Sequence, residues 1–290
     1  MAAARLSRFR RGRDHGSRVA RVLGAVRFLY IGAFLLFLLA PLYWMVITSI
    51  KPVSDYLAVP PVWLPSEPTI VHYTAALYSY RGMQGLINSL IIASATTVCS
   101  VAVGTLMAYS LARFNTGGQH LAFWVLSQRF LPPIAVVLPV FLLYRNYGLN
   151  DTHIGMILVY TVFSLPFSVW MMYAYFRQMP QELENVARVD GCTRWQALRA
   201  VALPLAAPGI VSAAVFAFIF AWTEFFFALI LTSRVAFTLP AIFRSFMGFQ
   251  GAQYGESSAL TVISLVPSIA LGLLVQRHLV RGLTLGALHE

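Results

Sequence analysis

Two ionisable side chains lie where an apolar chain tolerates them least. Arg129 interrupts the run 121–144, and Glu224 interrupts the run 209–233. A charge at membrane depth is costly, so it faces a cavity, a counter-charge or backbone carbonyls. Two chemistries suit the pair: a polar lining for a solute pathway, or an ion pair or hydrogen-bonded anchor between helices. Counted along a helix, Arg129 lies roughly 12 Å and Glu224 roughly 22 Å from the inner ends of their runs, so pairing needs extended side chains or tilt. Gln128 and Thr223 stand beside them as secondary lining candidates. Pro132 and Pro133 follow within a turn. They free carbonyls that only protein or a wet cavity can satisfy.

A second cluster of polar chemistry occupies residues 180–208, PQELENVARVDGCTRWQALRAVALPLAAP, between long uncharged runs. Its pattern predicts two short helices with a break. Pro180 suits a first turn, and Glu182 and Glu184 sit where the helix dipole favours anions. Leu183, Val186 and Ala187 recur at i, i+3, i+4, a narrow apolar face. Gly191 is a natural stop. Thr193 with Gln196 reads as a capping box that opens the second helix. Trp195, Leu198 and Ala202 are expected on its apolar face, and Pro204 at its end. Such a segment keeps one face on protein and offers the other to a partner.

Other chemistries find no residues to carry them. A Walker A loop needs a glycine-preceded lysine, and the single lysine, Lys51, follows Ile50. The histidines His15, His72, His120, His153, His278 and His289 are scattered without ligand spacing, and are expected to be solvated or interfacial. No metal site, nucleophile motif or catalytic residue emerges. Cys99 and Cys192 form no disulfide framework.

The elements that must position these residues follow from composition. Of 290 residues, 59% are hydrophobic and 11% charged, against about 25% charged in a soluble domain. Six runs reach the ~20 residues a helix needs to cross a bilayer: 28–50, 85–111, 121–144, 154–176, 209–233 and 257–276. Fifteen Lys and Arg residues lie on the side holding the N-terminus, 112–120, 177–208 and the tail after Gln276. Five lie opposite: Lys51, Arg81, Arg145, Arg234 and Arg244. Positive charge stays inside. The fold class is therefore an all-α membrane protein with six transmembrane helices and both termini cytoplasmic. Its parts are a basic arm over 1–27, disordered or lying on the membrane surface, a membrane domain over 28–280 carrying the 180–208 loop, and a tail over 281–290. The net charge of +11 is explained by this asymmetry, and nucleic-acid binding is not expected. Outside the membrane, residues 51–84 suit an interfacial amphipathic helix. The glycine-rich stretch with Gly248, Phe249, Gln250 and Gly251 suits either a partner-probing loop or an ordinary connection.

The 180–208 loop resembles the cytoplasmic EAA loop of binding-protein-dependent ABC importer permeases: EAA, three residues, Gly, nine residues, Ile-x-Leu-Pro. Asn185, Val186 and Ala187 fall on EAA, Gly191 on the glycine, and Leu203 with Pro204 on the terminal pair. QRFLPPIAVVLPVFLLYRNYGLNDTHIGMILVY, AWTEF and VQRHLVRGLTLGA are similar to the carbohydrate branch, specifically its six-span second permease, over residues 26–286. The resemblance implies a type I importer permease fold in a prokaryotic cell membrane. It implies ATPase coupling through Glu182, Leu183, Glu184, Asn185, Val186, Ala187, Asp190, Gly191, Leu203 and Pro204. It implies a homologous second permease, two ATP-binding-cassette subunits that hold ATP-Mg, an extracellular solute-binding (lipo)protein near Gly248–Gly251, membrane lipid, and a sugar or sugar-like solute. No cofactor is expected on this chain. Residues 282–286 are expected near the ATPases. The motif glutamate is Asn185 here, and Glu184 stands about 100° round the helix from it, so docking is expected to rest on the apolar face and the Gly191 bend. The alternative classes are a self-contained secondary transporter using Glu224 and a membrane scaffold.

Overall fold

A computed structural model describes residues 2–56, 58–248 and 251–286. Its helices are α1 (Ala2–Thr48), α2 (Gly82–Phe114), α3 (Gly118–Ser127), α4 (Pro133–Asn146) and α5 (His153–Gln178), then α6 (Glu182–Val189), α7 (Arg194–Leu205), α8 (Ala207–Thr223), α9 (Phe226–Leu231) and α10 (Tyr254–Gly286). A minimal hairpin, β1 (Met247–Gly248) and β2 (Gly251–Ala252), pairs Met247 with Ala252. Among the described residues, four helices are long and apolar enough to span a membrane, or up to six if each bent pair is one span.

The corrections to the expected spans are local and physical. The basic N-terminal stretch is helical from Ala2, continuous with the first span, which removes the disordered alternative for the arm. The third run is not one rod. It bends by 92° between residues 120–130 and α4, at Pro132 in extended conformation and Pro133 at the head of α4. A proline's ring disfavours helix in the residue before it, which breaks the run there. The fifth run breaks at Glu224, whose backbone is extended between α8 and α9.

Two cores stack along the bundle. The outer one gathers Ile92, Met156, Trp222, Phe227, Leu239 and Leu260. The inner one gathers Tyr109, Met172, Phe176, Leu198 and Ala206. The helices α2 and α5 form the central pair. At Gly104 a Cβ would collide with Ser168 and the Val169 backbone, so the small residue lets the two helices close, as interfaces within membranes require.

The outer loop after α9 is held from several sides. Asp151 accepts backbone N–H groups from Ser233, Arg234, Val235 and Ala236 at 2.8–3.1 Å, and the Ser233 hydroxyl at 3.0 Å. Asn88 of α2 donates to the Val235 and Phe237 carbonyls at 2.7 and 2.9 Å, while His153 meets its Oδ1 at 2.9 Å. His153 is therefore engaged, not free in solvent, and His72 is buried at 4% exposure. Both are held by protein groups at the outer ends of the spans, the interfacial and not the solvated half of the expectation.

Burial would push the Asp151 carboxyl up. The backbone N–H bonds from Ser233, Ala236, Arg234 and Val235 outweigh it and hold the carboxyl down at about 2. A depressed pKa gives stability that is full above the unfolded value near 4 and lost as pH falls towards 2. Asp151→Ala should release the loop. Trypsin cleavage after exposed Arg234 should then quicken about 10- to 100-fold at pH 7, as losing bonds to a charged acceptor implies. Wild-type protein should approach that susceptibility to opening only at pH below 4. Unchanged cleavage in the variant would remove Asp151 as the staple.

Candidate functional site

The cytoplasmic segment folds as its residues direct. The capping box forms: the Thr193 hydroxyl accepts from Gln196 N at 3.3 Å, and Thr193 N donates to the Gln196 side chain at 2.8 Å. Gly191 adopts φ +93°, a left-handed backbone that glycine alone reaches without strain. Its N–H reaches the Arg188 carbonyl, and Cys192 N–H reaches back to Ala187, closing α6. Pro204 does not end the second helix. A wide turn over Leu198–Ala202, with Leu203 N–H bonded to Leu198 O, opens the coil before the ring arrives. The helix stops at Ala206, where α8 departs at 74°.

One residue organises this loop. Glu184 is 4% exposed. Its carboxylate accepts from Arg113 Nε at 2.7 Å and the Tyr109 hydroxyl at 2.6 Å. The same guanidinium donates to the Phe176 and Met179 carbonyls at 2.8 and 3.1 Å. Arg113 thus lies in the last turn of α2, caps the end of α5 and grips α6. Helix C-termini favour a cation, and every oxygen of the carboxylate is bonded, which is what a buried ion pair needs to persist. Glu184 is therefore not available to a partner, a correction to its expected place on the docking surface. Glu182, Asn185 and Asp190 are exposed, as are Leu183, Val186 and Pro204, while Ala187 and Leu203 are half-buried.

The apolar face is larger than expected. Val189 is 87% exposed and Trp195 60% exposed, and both join Leu183 and Val186 on the cytoplasmic side. Trp195 does not share a face with Leu198 and Ala202, which are buried in the inner core. The signal for Val189 was present, three residues beyond Val186. The outward turn of Trp195 had no local signal. Exposed apolar side chains of this kind are suited to cover by a protein partner.

Within the membrane, a cavity of about 310 Å³ collects Arg129, Tyr160, Phe163, Ser164, Phe220, Thr223 and Glu224, among others. Arg129 donates to the Phe163 carbonyl at 3.0 Å and lies over the Phe220 ring at 4.4 Å. Glu224 accepts N–H groups from Phe226, Phe227 and Ala228 at 2.9–3.4 Å. It caps the half-helix α9 left by the break. The two charges share the cavity without an ion pair among the described residues. Thr223 lies with them, its hydroxyl bonded to Ile219 O at 2.7 Å. Gln128 does not; it lines an adjoining, mostly apolar pocket of about 500 Å³ with Trp124 and Tyr144, which shares Leu131 and Phe163 with the first. Sequence reasoning missed Tyr160, Phe163 and Phe220, aromatic residues spaced like any core residue. Of the outer-loop candidates, Gly248 and Gly251 pair in the hairpin, and Phe249 and Gln250 lie outside the described residues. Among the described residues, no cluster could hold a metal ion.

A bundle of bent membrane helices around a cavity that holds Arg129 and Glu224 is the architecture of a membrane permease subunit. The chain belongs to the family of binding-protein-dependent transport system inner membrane components, whose pattern matches residues 100–285. It is 36% identical over 283 residues to the trehalose transport system permease protein SugB of Mycobacterium tuberculosis, covering 94% of this chain and 98% of that one. It is 34% identical to the trehalose/maltose transport system permease protein MalG of Thermococcus litoralis, covering 93% and 96%. Its fold matches a bacterial ABC transporter that imports the acidic polysaccharide alginate, with a TM-score of 0.73 at 22% identity, over 89% of this chain and 96% of that one.

Proposed function

We propose that this chain is the permease subunit of an ATP-driven importer for a sugar or sugar-like solute, working in the cell membrane with a homologous second permease. Two ATPase subunits carry ATP-Mg and drive the pair, and an extracellular solute-binding (lipo)protein delivers the solute. One observation carries the coupling role. Leu183, Val186 and Val189 are exposed on α6, which Glu184 and Arg113 fasten to α2 and α5, and Trp195 is exposed at the start of α7. A push on α6 moves the spans. The sugar class rests on the relatives' transport of trehalose and maltose. It rests also on a cavity that offers aromatic faces beside an arginine and hydroxyls, at the lower end of the ~300–1,000 Å³ typical of small-molecule sites.

Mild-detergent purification from the native membrane should recover ATPase subunits with this chain, and their absence would sink the importer reading. Gly191→Pro tests the loop. Proline cannot reach φ +93°, and it removes the N–H bonded to Arg188. Membrane insertion should stay normal while uptake falls to background. Gly191→Ala, strained by about 1–2 kcal/mol, should lower uptake partially. Normal uptake in the proline variant would remove the coupling assignment.

A further inference from the structure

The outer ends of α1 and α10 meet around a lysine that solute transport leaves unused. Lys51 is 1% exposed, although it stands just beyond a membrane-spanning helix. Its ammonium lies 3.9 Å from the centroid of the Trp44 ring, and no carboxylate pairs with it among the described residues. The acid nearest in sequence, Asp55, is within coulombic reach of Lys51 but makes no contact ion pair with it, its oxygens being taken up by Ser54 and by the N–H and hydroxyl of Ser66. A buried ammonium with an aromatic ring beside it and a carboxylate only at a distance is left without a hydrogen-bonded counter-charge.

The ammonium borders a pocket of about 140 Å³ lined by Trp44, Thr48, Lys51, Tyr56 and Tyr254. That is too small for a sugar-sized ligand and suits one anionic group. Its walls are built. The Tyr56 hydroxyl meets His72 Nε2 at 2.7 Å, and the same nitrogen meets the Lys51 carbonyl at 2.8 Å. His72 Nδ1 faces Glu256 at 3.2 Å. A Cβ at Gly255 would strike the Tyr56 hydroxyl and the His72 ring, so the first turn of α10 closes tightly on the pocket. The Thr48 and Tyr254 hydroxyls have no hydrogen-bond partner among the described residues and are free to donate.

Depth names the occupant. Trp44 stacks edge-on with Trp63 at 5.6 Å, and the Tyr43 hydroxyl donates to the Trp63 carbonyl at 2.8 Å. An aromatic belt of this kind sits at the level of lipid headgroups, where the available anion is a phosphodiester. We propose that Lys51 binds the phosphate of an outer-leaflet phospholipid in this pocket, with Thr48 and Tyr254 donating to its oxygens and Trp44 beside it.

The test uses the full chain with its co-purifying subunits in phosphate-free, non-ionic detergent. Dioleoylphosphatidylglycerol or dioleoylglycerol is added back, and native mass spectrometry counts retained lipid. Wild type should keep one phosphatidylglycerol and no dioleoylglycerol, and Lys51→Met should weaken retention about 10- to 100-fold. Equal retention in the variant would overturn the site, as would equal retention of dioleoylglycerol. Inorganic phosphate alone displacing the lipid at matched concentration would also overturn it, by showing a site for a free anion. Should Lys51→Met fail to assemble, the wild-type melting temperature decides: a rise with phosphatidylglycerol but not dioleoylglycerol is expected, and equal shifts reject the proposal.

Discussion

Replacing Arg113 with alanine is expected to cost about 3–5 kcal/mol of stability, because it leaves the Glu184 carboxylate buried without its counter-charge. It also strips the Phe176 and Met179 carbonyls of their donors. Uptake should vanish while ATP hydrolysis by bound ATPase subunits persists, since the exposed apolar face survives but is no longer tied to the spans. Glu184→Gln should be milder, since its amide oxygen can still accept from Arg113 while its NH2 donates to the Tyr109 hydroxyl oxygen. The double change Arg113→Met with Glu184→Leu should recover most of the stability, because apolar groups of similar volume often replace a buried pair without loss. A double-mutant cycle on Arg113→Met, Glu184→Leu and their combination, read by melting temperature and uptake, measures the coupling. Additive effects of the two single changes would show that the pair does not act as a unit.

Glu224→Ala should have the second largest effect. It leaves the N–H groups of Phe226, Phe227 and Ala228 without their acceptor, at membrane depth where water is scarce. Losing an N-cap costs about 0.5–2 kcal/mol in water, and burial of the orphaned donors raises the expected cost to roughly 2–4 kcal/mol. Uptake should fall at least tenfold. Glu224→Gln keeps an acceptor oxygen and should retain most stability and much of the uptake, because the structural task needs an oxygen and not a titrating proton. Full loss of uptake in the glutamine variant, with stability intact, would overturn the capping role in favour of an ionisable one. Full stability in the alanine variant would do the same.

Much of the molecule was legible in its sequence. The apolar runs, the capping box at Thr193 and the stop at Gly191 are written in local pattern, and the structure repeats them. What escaped depends on partners far along the chain. Glu184 turns inward because Arg113 waits 71 residues away. A helical wheel shows which way a side chain leaves the axis, but not what it meets. Lys51 and His72 looked like surface residues because their cover, Tyr254 and Glu256, arrives with the last helix. The bend near Pro132 had its proline signal. The break at Glu224 had none, since its only device is the carboxylate folding back onto the following N–H groups.

The knot at Arg113 has a mechanical consequence. The helix that carries it, α2, is 33 residues long, about 50 Å end to end. It is packed along α5 and pinned to it at the inner end. A stiff rod packed near its middle is a lever with a fulcrum. A displacement of α6 therefore reaches both α2 and α5 at their inner ends, through a single arginine–glutamate tie.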